Sequence, residues 1–309
     1  MTTADREGRA LVVGEALVDV VHAADGSVAA HPGGSPANVA LGLGRLGRAV
    51  DLLCWIADDD HGRAVSAHLE ASGVEILPRS WGAQRTSVAT ARLDASGAAT
   101  YDFDLTWALP AGVAPRPDAL VVHTGSIAAV LEPGGEEVLR IVERARATAT
   151  VTYDPNARPS LMGDPTSAWA KVRRVIELAD VVKVSDEDVA WLTGVGWEAA
   201  REWLELGPAL VVVTRGGEGA TAWTRDGRRI DVAAPGVEVV DTVGAGDSFM
   251  GGLIDGLWGA GLLGADARPA LASASTETLT AILERCARIA AITVSRAGAN
   301  PPGAAELAP

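Results

Sequence analysis

The chain has 309 residues, 48% hydrophobic and 21% charged, enough for one large core or a core with a small subdomain. A formal net charge of −14 argues against a nucleic-acid or anionic-membrane partner, and no apolar run approaches the roughly 20 residues that span a bilayer. Residues 1–10 lack the apolar stretch of a secretory signal, and Cys54 and Cys286 sit far apart in apolar settings, so free thiols and a cytoplasmic location are expected.

Along the chain, residues 11–19 read as a buried-type strand running into an acid at Asp19. Residues 20–31 are strand-like, with a turn at Asp25-Gly26. The sequence Pro32-Gly-Gly-Ser-Pro-Ala-Asn38 then leads through Gly33 and Gly34 into a helix over 36–46. Val39, Leu43 and Leu46 share one face of that helix, and Gly47 caps its C-terminus. Within it, Gly42-Leu-Gly-Arg-Leu-Gly47 matches a dinucleotide fingerprint, but that motif needs a strand before the glycines and a helix opening at them. Here the glycines fall inside a helix, and the match is read as accidental.

Residues 85–93 and 98–103 read as two strands around a turn at Asp94-Ala-Ser-Gly97. Trp107, just beyond them, is a candidate for stacking on a ligand. Further short apolar runs lie at 10–13, 50–56, 119–123, 149–153, 180–184 and 209–214, with helical patterns at 135–146, 165–178 and 197–206. Continuous apolar strands alternating with helices predict a parallel sheet covered on both faces, with ligands beyond the carboxyl ends of its strands. A last helix over 278–293 carries a plain core stripe.

The most informative stretch is Asp241-Thr-Val-Gly-Ala-Gly-Asp-Ser-Phe-Met-Gly-Gly252. Gly244, Ala245 and Gly246 precede Asp247 where a helix is expected to begin. Small residues at a helix N-terminus expose backbone N–H groups to an anion. An acid there either caps the helix or takes a proton from an attacking hydroxyl in phosphoryl transfer. No Gly-Lys pair exists, so there is no P-loop, and the protein-kinase, His-Glu-x-x-His and Gly-x-Ser-x-Gly patterns are missing. Phosphate recognition then falls to backbone donors and arginine. Lys171 and Lys183 are the two lysines among 26 basic residues, a skew read as compositional.

Four polar clusters follow apolar runs: Gly14–Asp19 with Gly33–Asn38, Asp154-Pro-Asn-Ala-Arg158, Thr214–Gly219 and Gly244–Asp247. On these the chain resembles a PfkB-type (ribokinase-like) sugar kinase from near residue 10 to near residue 302, and is most similar to the bacterial fructokinase branch. The resemblance implies one α/β domain over 1–309, with a mostly parallel central sheet flanked by helices and a small β lid near 16–32 and 85–108. It implies ATP-dependent phosphorylation of a small sugar, D-fructose first, at a terminal hydroxyl. Kinases of 2-keto-3-deoxygluconate, ribose or a nucleoside are the alternatives, with a non-catalytic sensor beyond them.

Mapped by the same resemblance, Asp247 is the base and Gly244, Ala245 and Gly246 are the anion hole. Asp19, Gly33, Gly34, Asn38 and Arg158 bind the sugar. Ser185, Thr214, Gly216, Gly219 and Asn300 lie along the nucleotide. Asp188 stands where many relatives carry a glutamate, which implies an outer-shell contact to Mg2+. Asp241 marks a monovalent-cation site for K+, and the lid implies a homodimer.

Overall fold

The computed structural model of the chain describes residues 7–22, 26–93 and 99–307. Its strands are β1 (Arg9–Val13), β2 (Leu17–His22), β3 (Val28–Gly33), β4 (Val50–Leu53), β5 (Val74–Ile76), β6 (Val88–Leu93), β7 (Ala99–Asp104), β8 (Ala119–Gly125), β9 (Thr150–Asp154), β10 (Val181–Ser185), β11 (Leu210–Thr214), β12 (Ala220–Thr224) and β13 (Arg229–Val232). Its α-helices are α1 (Ser35–Arg45), α2 (Asp60–Glu70), α3 (Gly134–Ala145), α4 (Pro159–Met162), α5 (Pro165–Ile176), α6 (Asp186–Thr193), α7 (Ala245–Gly259), α8 (Arg268–Ala272) and α9 (Thr276–Val294).

Nine strands form one sheet in the order β13-β12-β11-β10-β9-β8-β1-β4-β5. From β11 to β5 every pairing is parallel, and β12 and β13 add antiparallel at one edge. Side chains alternate across a strand, so β1 sends Ala10 and Val12 into a core with α1, α7 and α9. Leu11 and Val13 go to the opposite core, which α3 and α5 cover. This double burial explains why the central strands read as unbroken apolar runs. All the parallel strands end at one edge, where β1, β8, β9, β10 and β11 release their polar residues.

Four strands form a second, smaller sheet in the order β3-β2-β6-β7. The two stretches expected to form a lid supply all of them, with β2 parallel to β6 and the other pairs antiparallel. The turns expected at Asp25-Gly26 and Asp94–Gly97 fall at least partly outside the described residues.

Three expectations change. The single strand over 11–19 is two strands of different sheets, with Gly14-Glu15-Ala16 between them. A Cβ on Gly14 would lie 2.2 Å from the Pro36 ring, so the chain turns against the start of α1 there. Asp19 is therefore inside β2 rather than at a strand end. Residues Trp197–Leu206 form a 3-10 helix, not an α-helix. Trp197, Ala200, Trp203 and Leu206 recur every third residue, and a three-residue turn keeps all four on one side against the core. Trp107 is core: it is 6% exposed, donates its indole N–H to the Ala128 carbonyl and packs against Gly134. Among the described residues no helix is long and apolar enough to cross a membrane.

Candidate active site

The carboxyl edge of the larger sheet, the starts of α1 and α7, and the smaller sheet enclose a cavity of about 1180 Å3. Helix α7 opens on Gly244, whose φ of +78° suits glycine, and no side chain caps it. Asp247 stands in its first turn, 6% exposed. Rather than capping the helix, its carboxylate accepts from Ser35 Oγ at 2.7 Å and from Asn38 Nδ2 at 2.8 Å. Asn156 Nδ2 stands 3.4 Å from the same oxygen as Ser35. Ser35 and Asn38 sit in the first turn of α1, which the Gly33-Gly34 crossing delivers to this point. The acid is thus clamped between two helix starts, beside the backbone N–H groups of the Gly244–Gly246 turn.

Asp19 faces the cavity from β2, opposite His31 of β3. Burial holds its pKa above the ordinary carboxylate value, Arg158 and His31 pull it back, and Asp247 pushes it up. A Cβ on Gly33 would stand 2.1 Å from Asp19 Oδ2, so only glycine there leaves room for the carboxylate. Gly34, at φ +104°, passes so close to the Glu15 carbonyl that a Cβ would lie 2.5 Å from it. Arg158, exposed at the start of α4, donates to Asn156 Oδ1 at 2.7 Å and to the Ala157 carbonyl at 2.9 Å. Asn156 holds φ at +35° and Ser126 at +53°, both unusual for residues with a side chain and both on the cavity wall.

Beneath these groups lies a second set of buried charges. Glu15 is hydrogen-bonded to Ser126, and burial pushes its carboxyl up to about 7. Lys183 Nζ donates to Asp154 Oδ2 at 2.8 Å across β10 and β9. Burial raises Asp154 to about 6 despite that ammonium, with Asp188 and Asp247 adding to the rise. Ser35, Glu15, Asn156 and Lys183 escaped the assignment of site residues from sequence. A signal existed for each: Ser35 lies between two quoted glycines and Pro36, Glu15 follows Gly14, and Asn156 precedes Arg158 by two. Lys183 is a lysine kept inside an apolar strand of an arginine-rich chain.

The cavity brings together Asp19, Gly33, Gly34, Asn38 and Arg158 with Asp241, Gly244, Ala245, Gly246 and Asp247. Ser185, Asp188, Thr214, Gly216, Gly219 and Asn300 lie outside its lining. Ser185 and Thr214 pair at the neighbouring ends of β10 and β11, continuing the same edge. Ser185 caps α6 by accepting from the Asp188 N–H at 3.0 Å. Asp188 Oδ1 accepts from the Ala157 N–H at 3.0 Å, which ties α6 to the loop carrying Asn156 and Arg158. Gly216 (φ +49°) and Gly219 (φ +97°) shape the turn between β11 and β12. Asn300 Oδ1 accepts from Arg45. Asp241 accepts from the Val243 and Gly298 N–H groups at 3.0 and 2.8 Å, joining two loops at the cavity rim.

No group of three or more His, Cys, Asp or Glu side chains among the described residues forms a metal cage. A magnesium ion carried on phosphate oxygens and waters needs no protein cage, and Asp188 is the carboxylate that could reach it through a water.

The chain matches the model of the pfkB family carbohydrate kinases over residues 8–305. A fructokinase of Rhizobium leguminosarum bv. trifolii is 36% identical over 259 residues, covering 80% of this chain and 79% of that protein. The crystal structure of a fructokinase with bound ATP from Xylella fastidiosa superposes with a TM-score of 0.84 at 26% identity, over 97% of this chain and 96% of that one. A fructokinase double mutant from Vibrio cholerae O395, in its fructose, ADP and potassium ion bound form, gives a TM-score of 0.80 at 25% identity, over 99% and 98%. With its parallel sheet, its smaller second sheet and its Gly-Ala-Gly-Asp247 helix start, the chain belongs to the pfkB family of carbohydrate kinases.

Proposed function

We propose that the protein transfers the γ-phosphoryl group of ATP to a terminal hydroxyl of D-fructose. The observation that carries this reading is Asp247: a buried carboxylate, oriented by Ser35 and Asn38, beside an uncapped helix start. Similarity to the Rhizobium fructokinase, and to the Vibrio structure holding fructose, supports fructose as the acceptor.

Asp19, Asn38 and Arg158 supply the acceptors and donors that a polyol needs, and Gly33 and Gly34 let it approach the backbone. Asp247 accepts the proton of the attacking hydroxyl. The sugar oxygen then forms a bond to the γ-phosphorus while the bridge oxygen to the β-phosphorus leaves with its electron pair on ADP. Backbone N–H groups of Gly244–Gly246 and the α7 dipole face the charge that develops on the transferred oxygens. Bound magnesium supplies charge neutralisation on the phosphates, with Asp188 as its outer-shell carboxylate. Ser185, Thr214, Gly216, Gly219 and Asn300 form the nucleotide side. Asp241 and the Gly298 loop are the proposed K+ site.

The cavity draws on both sheets, which supports treating the chain as one functional domain with β2, β3, β6 and β7 as the lid. We place the enzyme in the cytoplasm, where two buried free thiols persist, and as a homodimer through the lid.

The test is ADP release with ATP, magnesium and a panel of fructose, ribose, 2-keto-3-deoxygluconate and adenosine. Preference for fructose is expected. Preference for another acceptor would keep the transfer chemistry and overturn the sugar. Silence across the panel in a protein that still binds ATP would overturn the kinase reading.

A further inference from the structure

Gly246 presents a puzzle that its backbone does not solve. Its φ is not in the left-handed region, unlike that of Gly244, so the chain conformation does not demand glycine. What bears on it is space: a Cβ at position 246 would stand 2.9 Å from Lys183 Nζ, so the ammonium would have to shift. The ammonium therefore lies directly under the first turn of α7. It is held there, since Nζ donates to Asp154 Oδ2 at 2.8 Å and the two side chains are 3% and 0% exposed.

Such a pair is an expensive way to fill a core. Desolvating two charges costs several kcal/mol each, about what their attraction returns, and an apolar pair of the same volume is often no less stable. Val181 beside Lys183 on the same face of β10, and the β11 partner Val212, are apolar and buried, so the sheet accepts apolar side chains on this face. Asp154 Oδ1 has no hydrogen-bond partner among the described residues, so one oxygen of the carboxylate is left over from the pair. The charged groups around it are Asp154, Asp188 and Asp247, while buried His123 is held neutral, its pKa depressed to about 3 by desolvation and by the ammonium. Lys183 is one of the two lysines among 26 basic residues, and its compact ammonium takes less room than a planar guanidinium fork.

We propose that Lys183 is a positioning residue for phosphoryl transfer: a buried cation beneath the Gly244–Gly246 turn that offsets charge on the transferred group, held by Asp154 and admitted by Gly246. The ammonium does not touch the substrate. It acts through the turn: the pair is net neutral, but its ammonium end stands nearer the helix start, so it adds a fixed dipole with the positive end toward the Gly244–Gly246 turn in a water-excluded setting, where such interactions are stronger than in solvent. This inference rests on the transfer reading above.

The test compares the wild type with Asp154→Asn/Lys183→Met, which removes both charges together, and crosses each with Gly246→Ala. Melting temperature reports folding, calorimetry reports ADP affinity, and fructose-dependent turnover reports kcat. Tightness of an ADP–magnesium–aluminium fluoride complex formed with fructose reports the transferring state. In the neutral pair, melting should stay close to wild type and ADP affinity should stay within about threefold, while kcat falls by roughly 10–100-fold and the aluminium fluoride complex weakens in parallel. Gly246→Ala should lower kcat in the wild type and cost much less in the neutral-pair background, because the atom it collides with is gone. A neutral pair with wild-type kcat, or an additive effect of Gly246→Ala, would overturn the proposal. A wild type without sugar-dependent turnover would overturn the transfer reading itself and this inference with it.

Discussion

At the scale of single residues, the acids of the site differ in what surrounds them. Asp247 accepts from Ser35 and Asn38 and keeps its orientation without capping its helix. Asp247→Asn should therefore lower kcat by at least about 10³-fold, with fructose affinity changed less than about threefold, as measured by calorimetry beside steady-state kinetics. Near-normal turnover would remove Asp247 as the base. Glu15 differs in kind, for burial raises its carboxyl from the ordinary 4.5 to about 7. Between those values the folded protein binds more protons than the unfolded chain, so this group's contribution to stability falls as pH rises from about 4.5 to about 7. Glu15→Gln should match the wild type near pH 4.5 and gain on it up to pH 7 and beyond, by on the order of 1–3 kcal/mol. Melting curves across that range decide it, and a pH-independent difference would rule the account out. From sequence, Asp247 and its glycines were legible because a small-residue turn before an acid has few uses. Asp19 and Asn38 were legible only through the family resemblance, since each has an ordinary explanation by position. Ser35 and Asn156 reach Asp247 from 212 and 91 residues away, a distance no local pattern encodes.

At the scale of elements, apolar runs located β1, β4, β8, β9, β10 and β11 of the larger sheet to within a few residues, because burial on both faces leaves a clear signature, while the strands at its two edges, β5, β12 and β13, went unread. The same rule hid the break at Gly14–Ala16, where Leu17 and Val18 continue the apolar pattern into a different sheet. The 3-10 helix of Trp197–Leu206 did leave a trace: periods of 3.0 and 3.6 residues diverge by about half a turn over ten positions, and Trp197, Ala200, Trp203 and Leu206 keep the strict three-residue spacing. The accidental fingerprint of α1 has a packing purpose. A Cβ on Gly44 would come 2.2 Å from the Ser72 carbonyl, and Gly42 faces Gly251 of α7. Gly44→Ala should destabilise the protein by on the order of 1–3 kcal/mol, seen as a melting temperature lower by several degrees, with turnover at low temperature nearly unchanged. A loss of nicotinamide-nucleotide binding would instead revive the fingerprint.

At the scale of the whole molecule, an acidic chain of net charge −14 places the uncapped start of α7 and Arg158 on the wall of one cavity. A sugar bound in the cavity between the two sheets, as proposed, would stabilise the folded state by mass action, about 2.7 kcal/mol when its concentration is 100 times its Kd. Fructose alone should raise the melting temperature, and chelating magnesium should abolish turnover while leaving that rise in place. A rise that vanishes on chelation would place the metal in sugar binding rather than in phosphate handling.

The passage from β1 to β2 takes only Gly14, Glu15 and Ala16, and the passage from β3 to α1 takes only Gly34, which presses on the Glu15 carbonyl. The two seams are in contact, so the β2–β3 half of the small sheet is stitched to its base by a double suture rather than hung from a tether. Anyone wishing to graft the cover of one sugar kinase onto the barrel-chested body of another must transplant both seams as one piece, with Pro36 included. A chimera cut through either alone would inherit a cover misaligned with the acid below it.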